Sequence, residues 1–120
     1  MNARACVMAA LLVLPAAAFA GRGDAEIALT SARSNVAAAE RAGAASQAPV
    51  EFGIAVDMLA RAEGSYAERD WEDAQFEAEK ARADARLAET RARALRAEST
   101  LVQLEATIDS LRAEIARGGP

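Results

Sequence analysis

The sequence predicts an all-α fold: an antiparallel helical hairpin or three-helix unit, with a long C-terminal helix that extends as a coiled coil. Residues 70–117 contain neither Gly nor Pro, the two residues that interrupt helices most strongly. Apolar residues make up 52% of the chain but aromatic residues only 4%, because alanine dominates. Charged residues add 27%. This composition is typical of long helices and coiled coils, and no segment alternates with the period of two expected of a strand.

The first 20 residues have the pattern of a signal peptide. Arg4 supplies a positive start, residues 7–14 form a short apolar run, and Ala18-Phe19-Ala20 is a typical cleavage signal. Cleavage after Ala20 would leave 100 of the 120 residues. The alternative is that the apolar run is the first helix of the domain. The signature favours export, and we expect a periplasmic location.

Cysteine and charge limit the partners of the exported chain. Cys6 is the only cysteine, and it precedes the apolar run and lacks the small and apolar residues found before a lipidated cysteine. We therefore expect no lipoprotein, no disulfide and no transmembrane segment in the mature chain. The formal net charge of −4 becomes −5 once Arg4 is removed. An acidic balance argues against nucleic acid and anionic membrane surfaces as partners.

Residues 21–94 are predicted to form an alanine-rich helical domain. Residues 21–23 (Gly-Arg-Gly) read as a flexible lead-in, and Asp24 as the N-cap of a first helix over about 25–42. Gly43 is a natural residue to follow its end. The predicted buried stripe of this helix is Ile27, Ala28, Ser31, Ala32, Asn35, Ala38, Ala39 and Ala42.

A second helix is predicted over 49–67, after a loop at 44–48. Pro49 suits its first turn, where a missing N–H costs nothing. Gly53 lies inside it and is expected to let another helix approach closely, and the end is expected to fray over 64–69. The predicted buried stripe is Val50 or Phe52, followed by Ala55, Met58, Leu59 and Ala62.

The long helix is predicted to start after Asp70, its N-cap. Acidic residues near Asp70 fit capping better than a cation site, so no metal site is expected. Trp71, Tyr66 and Phe76 are predicted core anchors that close the turn. Alanine recurs at heptad spacing and is predicted to form the intrachain seam with the first two helices. The seam residues are Ala74, Ala78, Ala81, Ala85, Ala88 and Ala92.

Residues 95–117 are predicted to be a coiled-coil extension of the last helix, because the first two helices are too short to cover them. Its larger apolar residues are the predicted partner interface: Leu95, Leu101, Leu104, Ile108, Leu111 and Ile115. Their register differs from that of the alanine seam, which implies a stutter or a break near Ser99-Thr100. A capping box formed by Thr100 and Gln103 would favour a separate fourth helix, whereas the lack of Gly and Pro favours continuity. Residues 118–120 are expected to be a disordered tail.

Several of these residues together resemble a known family. The pattern comprises Ala42-Gly43-Ala44, Ala48-Pro49-Val50-Glu51, Ala55, Leu59, Ala62, Asp70-Trp71, Ala74, Ala78, Ala81, Asp84-Ala85 and Ala88. It resembles the domain of unknown function 4398, over roughly residues 25–93. The resemblance implies a short exported helical domain, which in some members precedes an OmpA-like peptidoglycan-binding domain. No OmpA-like domain follows here, so any contact with peptidoglycan is expected to be indirect. The family supplies no catalytic residues to carry over.

The residue inventory argues against catalysis. The chain has no His, and the expected mature chain has no Cys. No Gly-rich loop could hold a phosphate. We therefore expect no enzyme and no cofactor.

The predicted function is a non-catalytic structural or adaptor role in the cell envelope, through self-association or binding to a helical envelope protein. The alternative is a chaperone-like or lipid-surface binding module with amphipathic, alanine-rich helices.

Overall fold

The fold is all-α, as predicted. The computed structural model describes residues 17–119, and these contain four helices and no strand. Helix α1 spans Ala17–Arg41, α2 Ala44–Gln47, α3 Pro49–Ala67 and α4 Trp71–Ala116. Most of the predicted leader, residues 1–16, lies outside the described residues, as does Pro120.

Helix α1 begins earlier than predicted. The Gly-Arg-Gly segment is helical rather than a flexible lead-in, and Asp24 lies inside the helix rather than at its N-cap. The reason is packing: a Cβ added to Gly21 would lie 3.5 Å from Trp71 Cβ, and Arg22 Nε donates to the Tyr66 hydroxyl at 3.5 Å. That hydrogen bond also raises the pKa of Arg22. Contacts with the turn at the start of α4 thus stabilise helix in a segment of low helix propensity.

The connection between α1 and α3 is more ordered than the predicted loop. Gly43 has φ +82°, a left-handed conformation that favours glycine, and its N–H donates to Glu40 O at 2.9 Å. The chain then forms the single turn α2, which buries Ala44 before the chain enters α3. Gly53 does not permit a close helix approach, since a Cβ there would meet nothing within 4 Å.

Helix α3 does not fray but ends in a hydrogen-bonded cap. The Arg69 N–H donates to Tyr66 O at 3.1 Å and the Asp70 N–H to Ser65 O at 2.9 Å, the two bonds of a Schellman motif. Arg69 takes the left-handed position, with φ +67°. Because only residues 68–70 separate the two helices, α3 and α4 are antiparallel neighbours.

Asp70 caps α4 as predicted. Its carboxylate accepts a hydrogen bond from the Asp73 N–H at 3.4 Å. The negative charge of Asp70 is the main reason that the pKa of Asp73 is raised above its usual value, and desolvation and the charges of Glu77 and Glu72 act in the same direction. The cap therefore places several carboxylates in one turn.

The core consists of two neighbouring clusters that run along α4. Near the α3–α4 turn, Leu29 and Ala32 of α1 pack with Ala62 of α3 against Ala78 and Ala81 of α4. The second cluster lies towards α2 and contains Ala39, Ala44, Ala55, Ala85, Ala88 and Ala92. Both α1 and α3 therefore pack on α4, and the three long helices run up, down and up.

Two large side chains expected in the core, Ile27 and Phe76, lie outside it, and one of two alternatives at the start of α3 is decided. Ile27 is 71% exposed, and Leu29 replaces it on the buried side of α1, next to the predicted Ala32. At the start of α3, Phe52 packs against the core and Val50 is exposed. Phe76 is 66% exposed and does not anchor the turn.

The turn is closed by two aromatic residues rather than three. Tyr66 and Trp71 pack edge to face, with ring centroids 5.0 Å apart and an interplanar angle of 65°. Both side chains are half-buried. This pair is also the surface on which the start of α1 rests.

Helix α4 is continuous through Ser99 and Thr100. The Thr100 hydroxyl donates to Arg96 O at 2.9 Å, a bond within the helix rather than a cap of a new one. At the other end, the Gly118 N–H donates to Ile115 O and the Gly119 N–H to Glu114 O, at 3.0 and 3.3 Å. Residues 118 and 119 thus form a Schellman cap rather than a disordered tail.

Within residues 17–119, no helix is both long and apolar enough to cross a membrane.

Two glycine substitutions should have opposite effects on stability. Gly43→Ala should lower the free energy of unfolding by about 1–2 kcal/mol, because an L-residue is strained in the left-handed region. Gly53→Ala should raise it by about 0.5–1 kcal/mol, because the position is inside a helix with space for a methyl group. Urea unfolding followed by circular dichroism measures both. The same sign of change in both variants would contradict this account of the connection.

The seam should tolerate no larger residue. Ala81→Leu should lower the free energy of unfolding by about 1–3 kcal/mol or more, because Ala81 is fully buried between helices. Ala83→Leu is the matched control: it is two residues away on α4 and exposed, so it should change stability by less than about 0.5 kcal/mol. Thermal unfolding measures the stability of both variants. Equal losses of stability in Ala81→Leu and Ala83→Leu would show that the helices are not closely packed at Ala81.

The role of Asp70 as the N-cap of α4 can be tested through stability and its dependence on pH. Asp70→Ala should cost about 1 kcal/mol, whereas Asp70→Asn keeps an acceptor oxygen and should cost less. Asp70→Asn should also lower the pKa of Asp73 towards its usual 3.8.

The direction of the change in stability with pH follows from the linkage between protonation and folding. A raised pKa in the folded state favours folding below the usual pKa of Asp, and that contribution is lost as the pH rises through the folded-state value. This loss should be smaller in Asp70→Asn, as measured by urea unfolding at several acidic pH values and NMR titration of Asp73. An unchanged Asp73 pKa in Asp70→Asn would show that Asp70 is not the cause of the shift.

Candidate partner-binding surface

The alanine seam is the inner face of α4. All six seam alanines have 0% exposure, and together they are every buried residue of this helix. Five of them belong to the two core clusters with α1 and α3. The seam therefore serves the chain's own fold and offers no free surface.

Beyond the seam the helix leaves the bundle. Leu95 is half-buried at the end of the bundle, and the Arg96 side chain reaches across to Gly43. Every residue from 96 to 119 is exposed. About 20 residues of helix, or roughly 30 Å at 1.5 Å per residue, thus project without contact to the described remainder of the chain.

The projecting segment carries a stripe of large apolar residues, which we call the tail stripe. Its side chains range from 39% to 76% exposed. The stripe repeats at intervals of three and four residues, the spacing of a coiled-coil core. Its members are Leu101, Leu104, Ile108, Leu111 and Ile115.

The tail stripe lies on the side of α4 opposite the seam. Nine residues separate Ala92 from Leu101, which is about two and a half turns of a continuous helix. The change of register seen in the sequence therefore needs no stutter and no break, because it places two faces on opposite sides of one continuous helix. We call the side opposite the seam the outer face.

Leu95 stands apart from the other predicted interface residues. It follows Ala92 by three residues and so stays on the seam side of α4, where it is half-buried. Six residues, about one and two thirds turns, separate it from Leu101. Val102 is also off the stripe, although it is 60% exposed.

Two further residues belong to the outer face and were missed as interface candidates. Leu87 lies two heptads before Leu101, and Phe76 lies four heptads before Leu104. They are 57% and 66% exposed. Spacing in multiples of seven from the tail stripe would have identified both. The outer face is thus uncovered along the bundle as well as beyond it.

Charged side chains on this part of α4 form pairs within the helix. Glu89 and Arg93 make an ion pair of 2.5 Å, and Asp109 and Arg112 one of 3.7 Å. Pairs of this kind on an exposed helix contribute only tenths of a kcal/mol. The flanks of the outer face therefore carry charges of both signs.

The described residues contain no set of three or more His, Cys, Asp or Glu side chains placed to hold a metal ion. The groove between α1 and α4 is lined by side chains of mixed polarity, including Asp24, Ile27, Gln75 and Arg82. The candidate functional surface is therefore the outer face of α4, because the large apolar side chains of the tail stripe are exposed there.

Comparison with family models gives one match: residues 28–104 match a family described as a domain of unknown function (DUF4398). This range contains the seam and the first two residues of the tail stripe. Comparisons with curated proteins and with solved structures gave no match.

Proposed function

We propose that this chain, which belongs to the DUF4398 family, is a non-catalytic structural or adaptor protein of the cell envelope that acts through helix–helix association. The observation that carries the proposal is the tail stripe: five Leu and Ile side chains, 39–76% exposed, aligned on a helix that no described part of the chain covers. An aligned apolar surface of this kind usually marks a binding site for a partner.

The energy available supports association that depends on concentration. Full burial of a Leu or Ile side chain is worth about 1.5–3 kcal/mol, so covering the exposed part of five of them contributes roughly 4–8 kcal/mol per chain. An equal contribution from the partner brings the total near the 4–15 kcal/mol that association costs. The tail therefore suits a moderate interaction, which is strengthened where the partner is held at high local concentration.

The proposed location rests on the sequence. Arg4, the apolar run at 7–14 and the Ala18-Phe19-Ala20 signal support export to the periplasm. The lack of a cysteine after residue 6 supports a mature chain without a lipid anchor. An exported helical module with a projecting apolar stripe is suited to joining other envelope components rather than to transforming a substrate.

Crosslinking in cells tests this function. The tagged full chain should be recovered from the periplasmic fraction with a mass that shows cleavage after Ala20. A photoreactive amino acid introduced at the exposed position of Thr107, beside the tail stripe, should crosslink it into a specific complex. The variant Leu104→Asp/Ile108→Asp should lose at least about nine tenths of that complex, because both substitutions place a charge in the tail stripe.

The control is Val102→Asp, which adds one carboxylate at an exposed position off the stripe and should keep the complex. Circular dichroism of each variant verifies that the bundle is folded. Equal crosslinking by Leu104→Asp/Ile108→Asp and the unmodified chain would contradict a role for the tail stripe. Recovery with the leader intact in the cytoplasmic fraction would contradict the envelope location.

A further inference from the structure

We infer that the tail stripe binds the same stripe of a second copy of this chain, in parallel, as a two-stranded coiled coil over about residues 93–117. The inference rests on the proposed function and names its partner and orientation. Three features support it: the order of residue types in the stripe, the charges beside the stripe, and the position of the outer face relative to the bundle.

The stripe has the residue order of a parallel two-stranded coil. With Leu101 at the first core position of a heptad (a), Ile108 and Ile115 are also at a, and Leu104 and Leu111 are at the second core position (d). The first heptad of the coil has alanine at both core positions, Ala94 and Ala97. β-Branched residues at a with Leu at d favour two parallel strands. In an antiparallel pair a faces d instead, so this order would give no such preference.

The charges beside the core agree with the parallel arrangement. In a parallel pair, the residue before each a position (g) approaches the residue after d (e) five residues later in the partner. Arg93 then meets Glu98 of the other copy, and symmetry makes this attractive contact twice. The next such contacts pair Thr100 with Glu105 and Thr107 with Arg112, so no like charges meet along the tail.

An antiparallel pair is less favourable. Full overlap of the two stripes places Leu101 opposite Leu111 of the other copy and brings Glu98 near Arg112, again twice. It also brings the two Glu105 residues together at the symmetry axis, and like charges facing each other at these positions repel. The attractive contacts are equal in number, so the Glu105 contact decides in favour of the parallel pair.

The sequence of α4 also indicates where the coil ends. Earlier in the helix, the parallel contacts would pair Arg86 with Arg91 and Glu79 with Asp84, and Lys80 would occupy an a position. Like charges and a charged core residue oppose further pairing. The two helices should therefore separate before Arg93, and Leu87 and Phe76 lie outside the coil.

The bundle leaves room for this partner. The seam and the tail stripe lie on opposite sides of α4. The α4 helix of a second copy, placed on the outer face of the first, therefore does not contact α1 or α3 of the first copy. Phe76 and Leu87 are 66% and 57% exposed on that face, which shows that it is clear along the bundle. Dimer formation then needs no change in the fold of either copy.

Sedimentation equilibrium of the purified full chain tests the association. The unmodified chain should be a dimer at tens of micromolar, and Leu104→Asp/Ile108→Asp should be a monomer with at least a tenfold weaker dimer constant. Val102→Asp, off the stripe, should remain a dimer. A monomeric unmodified chain at that concentration overturns the inference, and a trimer or tetramer overturns the two-stranded form.

Crosslinking through introduced cysteines tests the orientation, in a Cys6→Ser background that leaves no native thiol. A cysteine appended after Pro120 should form an intermolecular disulfide readily, because a parallel pair holds the two C-termini together. Full antiparallel overlap would separate the two Gly119 residues by 26 residues of helix, about 39 Å. A dimer that fails to form this disulfide overturns the parallel arrangement.

Charge reversal gives an independent readout of orientation. Glu98→Arg and Arg93→Glu should each weaken the dimer about tenfold, and the double variant should recover to within about twofold of the unmodified chain. Rescue of Glu98→Arg by Arg112→Glu instead would indicate the antiparallel pair. Suppose that the unmodified chain is a monomer in solution but Leu104→Asp/Ile108→Asp still loses the envelope complex. A second copy would then not be the partner, and the proposed function would remain in place.

Discussion

The close contact of three helices at a seam of alanine is the constraint on which the rest of this structure depends. Every buried residue of α4 is alanine, and the two core clusters contain one large fully packed residue, Leu29. Small seam residues let helix axes approach at the short end of the usual 8–10 Å range. Stability then comes from many short contacts between helices rather than from a few large anchors, because each alanine buries little area.

This constraint determines where large side chains can go. Val36, Phe52, Met58 and Leu59 pack from the edges of the clusters, half-buried, because the space between the helices admits no more. The aromatic pair Tyr66–Trp71 lies at the turn, where the helices end and there is room for rings. Apart from Leu95 and Val102, the remaining large apolar residues of α4 lie on its outer face. Helix α4 therefore has two different faces. Small residues pack inside the bundle, and most of the large apolar residues are exposed on the outer face.

Prediction from sequence succeeded where a pattern repeats and failed where a single contact decides. The heptad spacing of alanine and the signals Pro49 and Asp70 were sufficient for the bounds of α3 and the start of α4. The start of α1 was missed, because only the contacts of Gly21 and Arg22 with Trp71 and Tyr66 favour helix there. Local propensity cannot reveal a contact made 44 residues away in the chain.

The outer face shows a different limit of sequence analysis. The heptad spacing of the tail stripe was visible, but its position relative to the seam depends on whether α4 is continuous. Once the helix is known to run unbroken, the offset of nine positions from Ala92 to Leu101 places the two faces on opposite sides. Phe76 was misassigned for the same reason, since proximity to Trp71 in sequence suggested the core, whereas its heptad position places it on the outer face.

The family match covers the seam but only part of the tail stripe. The matched residues 28–104 contain all of the seam but end within the tail stripe, so Ile108, Leu111 and Ile115 lie beyond them. The matched range thus covers the seam and most of the bundle, together with the first part of the projecting helix. Because seam and stripe occupy opposite sides of α4, a change in one need not disturb the other. The bundle should therefore keep its fold when a residue of the stripe is replaced, because none of its buried contacts involves the stripe.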